Sequence, residues 1–239
     1  MLSDIIYQVS IFGDFTSITP NDTVIQSMIT TLREYELFPA IFQEGVLNIS
    51  PDPNNATVQT MNRLQMISLD KMLNVMFSSN RIDISKSSVD LSVSLTDDNL
   101  NTLLDILSKA TPGLSFSRIA LNSTSLLDDE TQYLQRKLQS GLDFYDNPNE
   151  LMLRVNKRKE ISIEGNHYED SNVILTVQRT VGQIIMINQP VPIDNGVITQ
   201  FDINTIAENT TLRFFSDHVK KYILSANSIR QSILNTLIS

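Results

Sequence analysis

The sequence predicts an α+β fold: mainly antiparallel sheet, in one or two sheets, backed by about four helices, with a long amphipathic C-terminal helix packed on the sheet. Three observations predict it. Segments rich in Ile, Val, Phe and Thr follow one another across brief turns, which favours antiparallel pairing over the long crossovers of a parallel sheet. Four segments carry the apolar i, i+3, i+4 spacing of a helix. The last of them, "LRFFSDHVKKYILSANSIRQSILNTLIS", keeps that spacing almost to its final residue.

The first strand is "IIYQVSIFGDF" (residues 5–15), β-branched and aromatic. Pro20, Asn21 and Asp22 then supply turn and cap signals for a helix with Val24, Ile25, Met28, Ile29, Leu32 and Tyr35 on one stripe, and Pro39 bars its extension. "AIFQEGVLNI" reads as a strand, "SPDPNNAT" as a turn or loop, and "VQTMNRLQMISL" and "MLNVMFSSNRIDIS" as further strands. In "TDDNLNTLLDILSKATPG", Thr96 or Asp97 caps a helix whose stripe is Leu100, Leu103, Leu104 and Leu107, and Pro112 and Gly113 end it. "LSFSRIALNSTS" is a strand, and "LLDDETQYLQRKLQS" a short helix with acids early and bases late. "ELMLRVNK", "KEISIEG", "SNVILTVQRTVGQIIMINQ" and "GVITQFDINTIA" complete the strands. "NKRKE" makes a solvated hairpin tip among them, and Asn195–Gly196 a hairpin turn.

The closing helix begins near Asn209 or Thr210. Its stripe is Leu212, Phe215, Val219, Tyr222, Ile223, Ala226, Ile229, Ile233 and Leu237, with Asn227 and Arg230 off that line. A stripe of this size is expected to cover the protein's own sheet. The elements divide into a sheet-helix lobe over residues 1–95 and a second over 96–239, although no Pro/Gly/Ser-rich linker separates them and one continuous domain fits nearly as well.

Composition excludes several function classes. With 41% hydrophobic and 19% charged residues the 239-residue chain has a folded protein's balance. A net charge of −9 disfavours broad contact with nucleic acid or anionic lipid. The absence of cysteine removes disulfides, thiolate metal sites and thiol nucleophiles. The opening stretch reads as a strand and not as a signal peptide, no apolar run reaches membrane-spanning length, and the cytoplasm is the expected compartment.

Phosphate-binding glycine loops, the G-x-S-x-G elbow and H-E-x-x-H are all missing, so no catalytic, cofactor or metal residue is assigned and no cofactor is expected. With two histidines, a three-histidine metal site within one chain cannot form. His167, in "IEGNHYED" beside Glu164, Glu169 and Asp170, has neighbours suited to a metal site or an oriented general base, or to a solvated turn. Arginine precedes an aliphatic residue in three predicted strands, at Arg63, Arg81 and Arg118. Asp83 lies two residues beyond Arg81, hence on the same strand face. Adjacent strands would bring these guanidiniums together on an anionic ligand or a partner's carboxylates; internal pairing with Asp83, Asp70 or Asp90 is the alternative.

The stretches "RLQMISLD…NRIDI", "SRIALN" and "ITQFDINTIAENTTLRFFSDHVKKYI" give the chain a layout that resembles a sporadically distributed family of uncharacterised bacterial proteins. The resemblance implies a bacterial cytoplasmic accessory protein and transfers no catalytic residue. Taken together, these readings point to a non-enzymatic interaction protein with a protein partner, a homo-oligomer being a further option and a membrane none. The alternatives are a metal-dependent hydrolase or nuclease using Asp and Glu, and nucleic-acid binding through a local Arg/Lys face.

Overall fold

A single sheet of nine antiparallel strands organises the chain in the computed structural model, which describes residues 2–48, 57–88, 90, 93–128, 152–165, 167–186 and 189–238. The strands are β1 Leu2–Phe12, β2 Leu37–Asn48, β3 Thr57–Ser68, β4 Leu73–Phe77, β5 Arg81–Ser87, β6 Arg118–Asp128, β7 Met152–Glu164, β8 His167–Met186 and β9 Gln189–Thr205. Three α-helices stand among the described residues: α1 Asp22–Thr31, α2 Asp97–Ala110 and α3 Ser216–Ile238. This corrects the expected balance of about four helices: the described chain is sheet-dominated. Leu126, Leu127 and Asp128, placed in a helix by their spacing, end β6, and the rest of that expected helix lies outside the described residues.

The strand order is β2-β3-β4-β5-β1-β6-β9-β8-β7. In the first half the chain leaves β1 at the centre, passes through α1 to the β2 edge and meanders back to β1. In the second, the strands from the β7 edge meander back to β6. The central pairing of β1 with β6 joins the two halves into one sheet. Strand alternation sorts the side chains. Tyr7, Val9 and Ile11 of β1, Ile82 and Ile84 of β5, and Ile119 and Leu121 of β6 point into one apolar core, which all three helices cover. Gln8, Ser10 and Phe12 point to the opposite face, on which no described helix packs.

Two caps fall where local chemistry requires. Asn21 accepts the Val24 N–H at 2.9 Å, and Asn99 reaches back to the Thr96 N–H at 2.9 Å. α1 stops at Thr31, well before Pro39, because a 3₁₀ turn at Arg33–Tyr35 leads to Glu36 in the left-handed region at φ 52°. Two expected turns are corrected. "NKRKE" lies within the continuous β7, and Asn195–Gly196 lies within β9, beside a register shift between Thr180 and Gly182.

The closing helix starts at Ser216, later than expected, because Phe214 is buried and pairs its backbone with Phe116. Its buried line runs Val219, Tyr222, Ile223, Ala226, Asn227, Arg230 and Leu234. The expected stripe is therefore rotated: Ile229, Ile233 and Leu237 are only partly buried, while Asn227 and Arg230 face the sheet.

Arg230 is wholly buried and its five N–H donors are all engaged. Nε donates to Ser123 Oγ at 2.8 Å, Nη1 to Tyr7 Oη at 3.2 Å and Asn227 Oδ1 at 3.3 Å, and Nη2 to Ser125 Oγ at 2.8 Å and to Asp4 Oδ1. Tyr7 and Ser125 each donate onward to the Asp4 carboxylate, at 2.7 Å and 2.6 Å. A β-bulge makes this possible. The register of β1 against β6 shifts between Asp4 and Ile6, so the extra residue Ile5 turns Asp4 onto the face of Tyr7, opposite Ser125.

Burial, opposed by Arg230 and reinforced by Asp4, raises the Tyr7 phenol well above its ordinary range, and burial raises that of Tyr222. Tyr35, which donates to Asp105 beside Lys109, is pushed up to about 12 by burial and then by that hydrogen bond. Each raised value favours the neutral phenol in the folded chain. The resulting stability is whole below about pH 10 and is lost as pH climbs through the folded values. In an alkaline titration followed at 295 nm and by circular dichroism, the phenolate signal of Tyr7 and Tyr222 should appear only as structure is lost. The variants Tyr7→Phe and Tyr222→Phe should shrink that late phase and leave the early one unchanged.

Candidate functional site

On the face that no described helix covers, at one end of the three central strands, β5, β1 and β6 place Arg81, Phe12 and Arg118 in one row, because both arginines are register partners of Phe12. The two guanidinium carbons lie 5.9 and 4.7 Å from the centroid of the Phe12 ring. Arg81 Nε is 2.7 Å from Asp83 Oδ2 on its own strand. Arg118 Nε donates to the Thr205 carbonyl at 3.2 Å. Asp83 is buried and is held from its other side by Ser10 Oγ at 2.5 Å and Gln8 Nε2 at 3.1 Å. The acid is thus a fixed post that orients Arg81, while Arg81 itself is 46% exposed. Among the described residues no hydrogen bond engages the Nη groups of either arginine. Fixed stems with outward donors suit a carboxylate or another planar anion.

Arg63 does not join this row. It is 2% exposed, and its donors are spent on backbone: Nε on the Phe77 carbonyl at 3.0 Å and Nη2 on the Phe15 carbonyl at 2.8 Å. Glu44 lies 3.5 Å from its Nε and also accepts from the Ser79 N–H at 3.0 Å and the Ser79 hydroxyl at 3.0 Å. Arg63 therefore ties β3 to the chain leaving β1 and β4. It has a structural task.

His167 opens β8, just after the left-handed Gly165 (φ 55°). Its Nε2 lies 3.3 Å from Glu169 Oε1, and its ring centroid 6.3 Å from that of His218, so both histidines of the chain meet at one corner. The neighbouring acids are already neutralised. Arg213 binds Glu169 through Nε at 3.1 Å and Nη2 at 3.0 Å. Lys221 pairs with Glu164 and holds its carboxyl below the usual carboxylate range. Among the described residues no group of three or more His, Asp or Glu is placed to hold a metal ion. The corner instead fastens the β7–β8 hairpin to the start of α3.

Sequence reasoning passed over Phe12 and Arg213. Phe12 was visible as an aromatic residue within a strand, but its place between two arginines follows from strand order. Arg213 sits in "TLRFF", where helical spacing hid it. Comparison of the chain with models of protein families, with curated proteins and with solved structures finds no match. The layout resemblance therefore assigns no residue a role.

The two kinds of arginine should separate in urea unfolding. Arg63→Ala strands buried carbonyls and Glu44, and is expected to cost about 3 kcal/mol. Arg81→Ala leaves Asp83 hydrogen-bonded by Ser10 and Gln8 and should cost less than about 1 kcal/mol.

Proposed function

We propose that this chain is a non-enzymatic interaction module that binds another protein in the cytoplasm, with the open face of its sheet as the contact. The Arg81–Phe12–Arg118 row carries this reading. Arginine and aromatic side chains dominate the binding energy of protein interfaces, and here they stand fixed before the partner arrives, which lowers the entropy lost on binding. The outward Nη groups select a partner surface with carboxylates beside an apolar residue able to reach Phe12. The resemblance in layout adds an accessory role in a bacterial cell.

Co-purification from the native source, with mass spectrometry and then reconstitution from the purified partner, tests this. The wild-type chain should hold a reconstitutable protein partner, and the double variant Arg81→Glu/Arg118→Glu should lose it while keeping its melting temperature. A variant that retains the same partner with unchanged affinity would rule out this face.

A further inference from the structure

The sheet has two edges, and among the described residues β7 is built unlike the other strands. Over Met152–Glu160, the first nine residues of β7, every side chain is exposed, on both faces. α3 covers only the second part, where Ile161 and Ile163 are buried and Ser225 Oγ donates to the Ser162 carbonyl at 3.2 Å. Among the described residues β7 pairs with β8 alone, so roughly 30 Å of strand keeps one row of outward N–H and C=O groups. Beside this edge lies a groove of about 730 Å³. Val173 and Leu175 form its floor, Val155 one wall, and Ile229 and Ile233 of α3 the other. Those two isoleucines belong to the helix stripe that the sheet does not fully cover.

The charge of the edge is as distinct as its shape. Arg154, Lys157, Arg158 and Lys159 lie within six residues of one another on a chain whose net charge is −9. Among the described residues the one ion pair they make, Arg158 with Glu208 at 3.6 Å, is exposed at both ends.

We propose that the β7 edge and its groove receive an extended, acidic segment of a partner protein, added to the sheet as a tenth strand. Its backbone pairs with the edge, its carboxylates meet Arg154 and Arg158 on the face away from α3, and its alternate aliphatic side chains enter the groove, which Lys157 and Lys159 also line. Four other occupants fit less well. A second copy pairing β7 with β7 would set cations against cations, the arrangement that natural edges use to prevent self-association. A phosphodiester strand or a lipid headgroup surface supplies anions but no N–H groups for the edge carbonyls. A helix has already spent its backbone groups. The same cations that block self-pairing thus select an acidic strand. The site goes beyond the Arg81–Phe12–Arg118 contact and does not depend on it.

The probe is a synthetic peptide of about ten residues alternating Glu and Val, titrated into the full chain by calorimetry at low and high salt. Two control peptides carry N-methyl groups on alternate amides, or Lys in place of Glu. Saturable binding is expected, weakened about ten-fold or more by Arg154→Glu/Arg158→Glu, by N-methylation and by salt. Slowed amide exchange along β7 should accompany it. Arg81→Ala/Arg118→Ala should leave it unchanged, so failure of this site and failure of the open face are separate results. The proposal is overturned by no binding to the full chain, by equal binding of either control peptide, by no effect of the arginine reversals, or by sedimentation showing β7-dependent self-association.

Discussion

Everything in this structure leans on one buried ion pair. Arg230 comes from the last helix and Asp4 from the first strand, and between them they hold Tyr7, Ser123, Ser125 and Asn227. Burying such a charge alone would cost several kcal/mol, so it persists because every donor has an acceptor and the guanidinium lies 5.1 Å from the Tyr7 ring centroid. An apolar contact can slide along a helix by a turn with modest loss. A five-donor knot cannot. It fixes the rotation and height of α3 over β1 and β6, and Asn227 extends the same network to Asp97 at the start of α2 through a 2.9 Å hydrogen bond.

Once α3 is fixed, the rest of the surface is determined. The helix turns Val219, Tyr222, Ile223, Ala226 and Leu234 to the core and leaves Ile229 and Ile233 at the margin, where they wall the groove beside β7. The sheet's other face carries no described helix, so its polar residues pair laterally: Ser10 and Gln8 with Asp83, Asn172 with Asn204, and Asn204 with Asp202. On that level ground the Arg81–Phe12–Arg118 row is the place where charge and an aromatic ring coincide. Structural duties elsewhere hold Arg63 and Arg213, and the histidine corner is fastened by its own cations.

Much of the secondary structure was legible because local chemistry determines it. Asn21 and Thr96 announce their helices, and the β-branched runs give β1, β2, β3 and β8. What was not legible depends on partners distant in sequence. "NKRKE" looks like a turn because an edge strand without helix cover shows no buried alternation. Asn195–Gly196 looks like a turn because its dipeptide suits one, yet it lies inside β9, beside the register shift that breaks its pairing with β8. Arg230 was read onto the polar side of its helix, since no pattern in one segment reveals that a bulge at Ile5 has turned Asp4 inward to meet it. Likewise the Arg81 and Asp83 pairing follows from their two-residue spacing, whereas the stacking of Arg118 on Phe12 requires knowing that β5, β1 and β6 are neighbours.

The most direct test is a double-mutant cycle on Asp4 and Arg230, read by urea denaturation of Asp4→Ala, Arg230→Ala and the double variant. Each single change should cost about 3–5 kcal/mol by leaving its partner's charge buried and unpaired. The double variant should cost far less than their sum, with a coupling energy of about 2 kcal/mol or more. Losses that add to within about 0.5 kcal/mol would mean that the two side chains act independently and that apolar packing alone holds the helix in place.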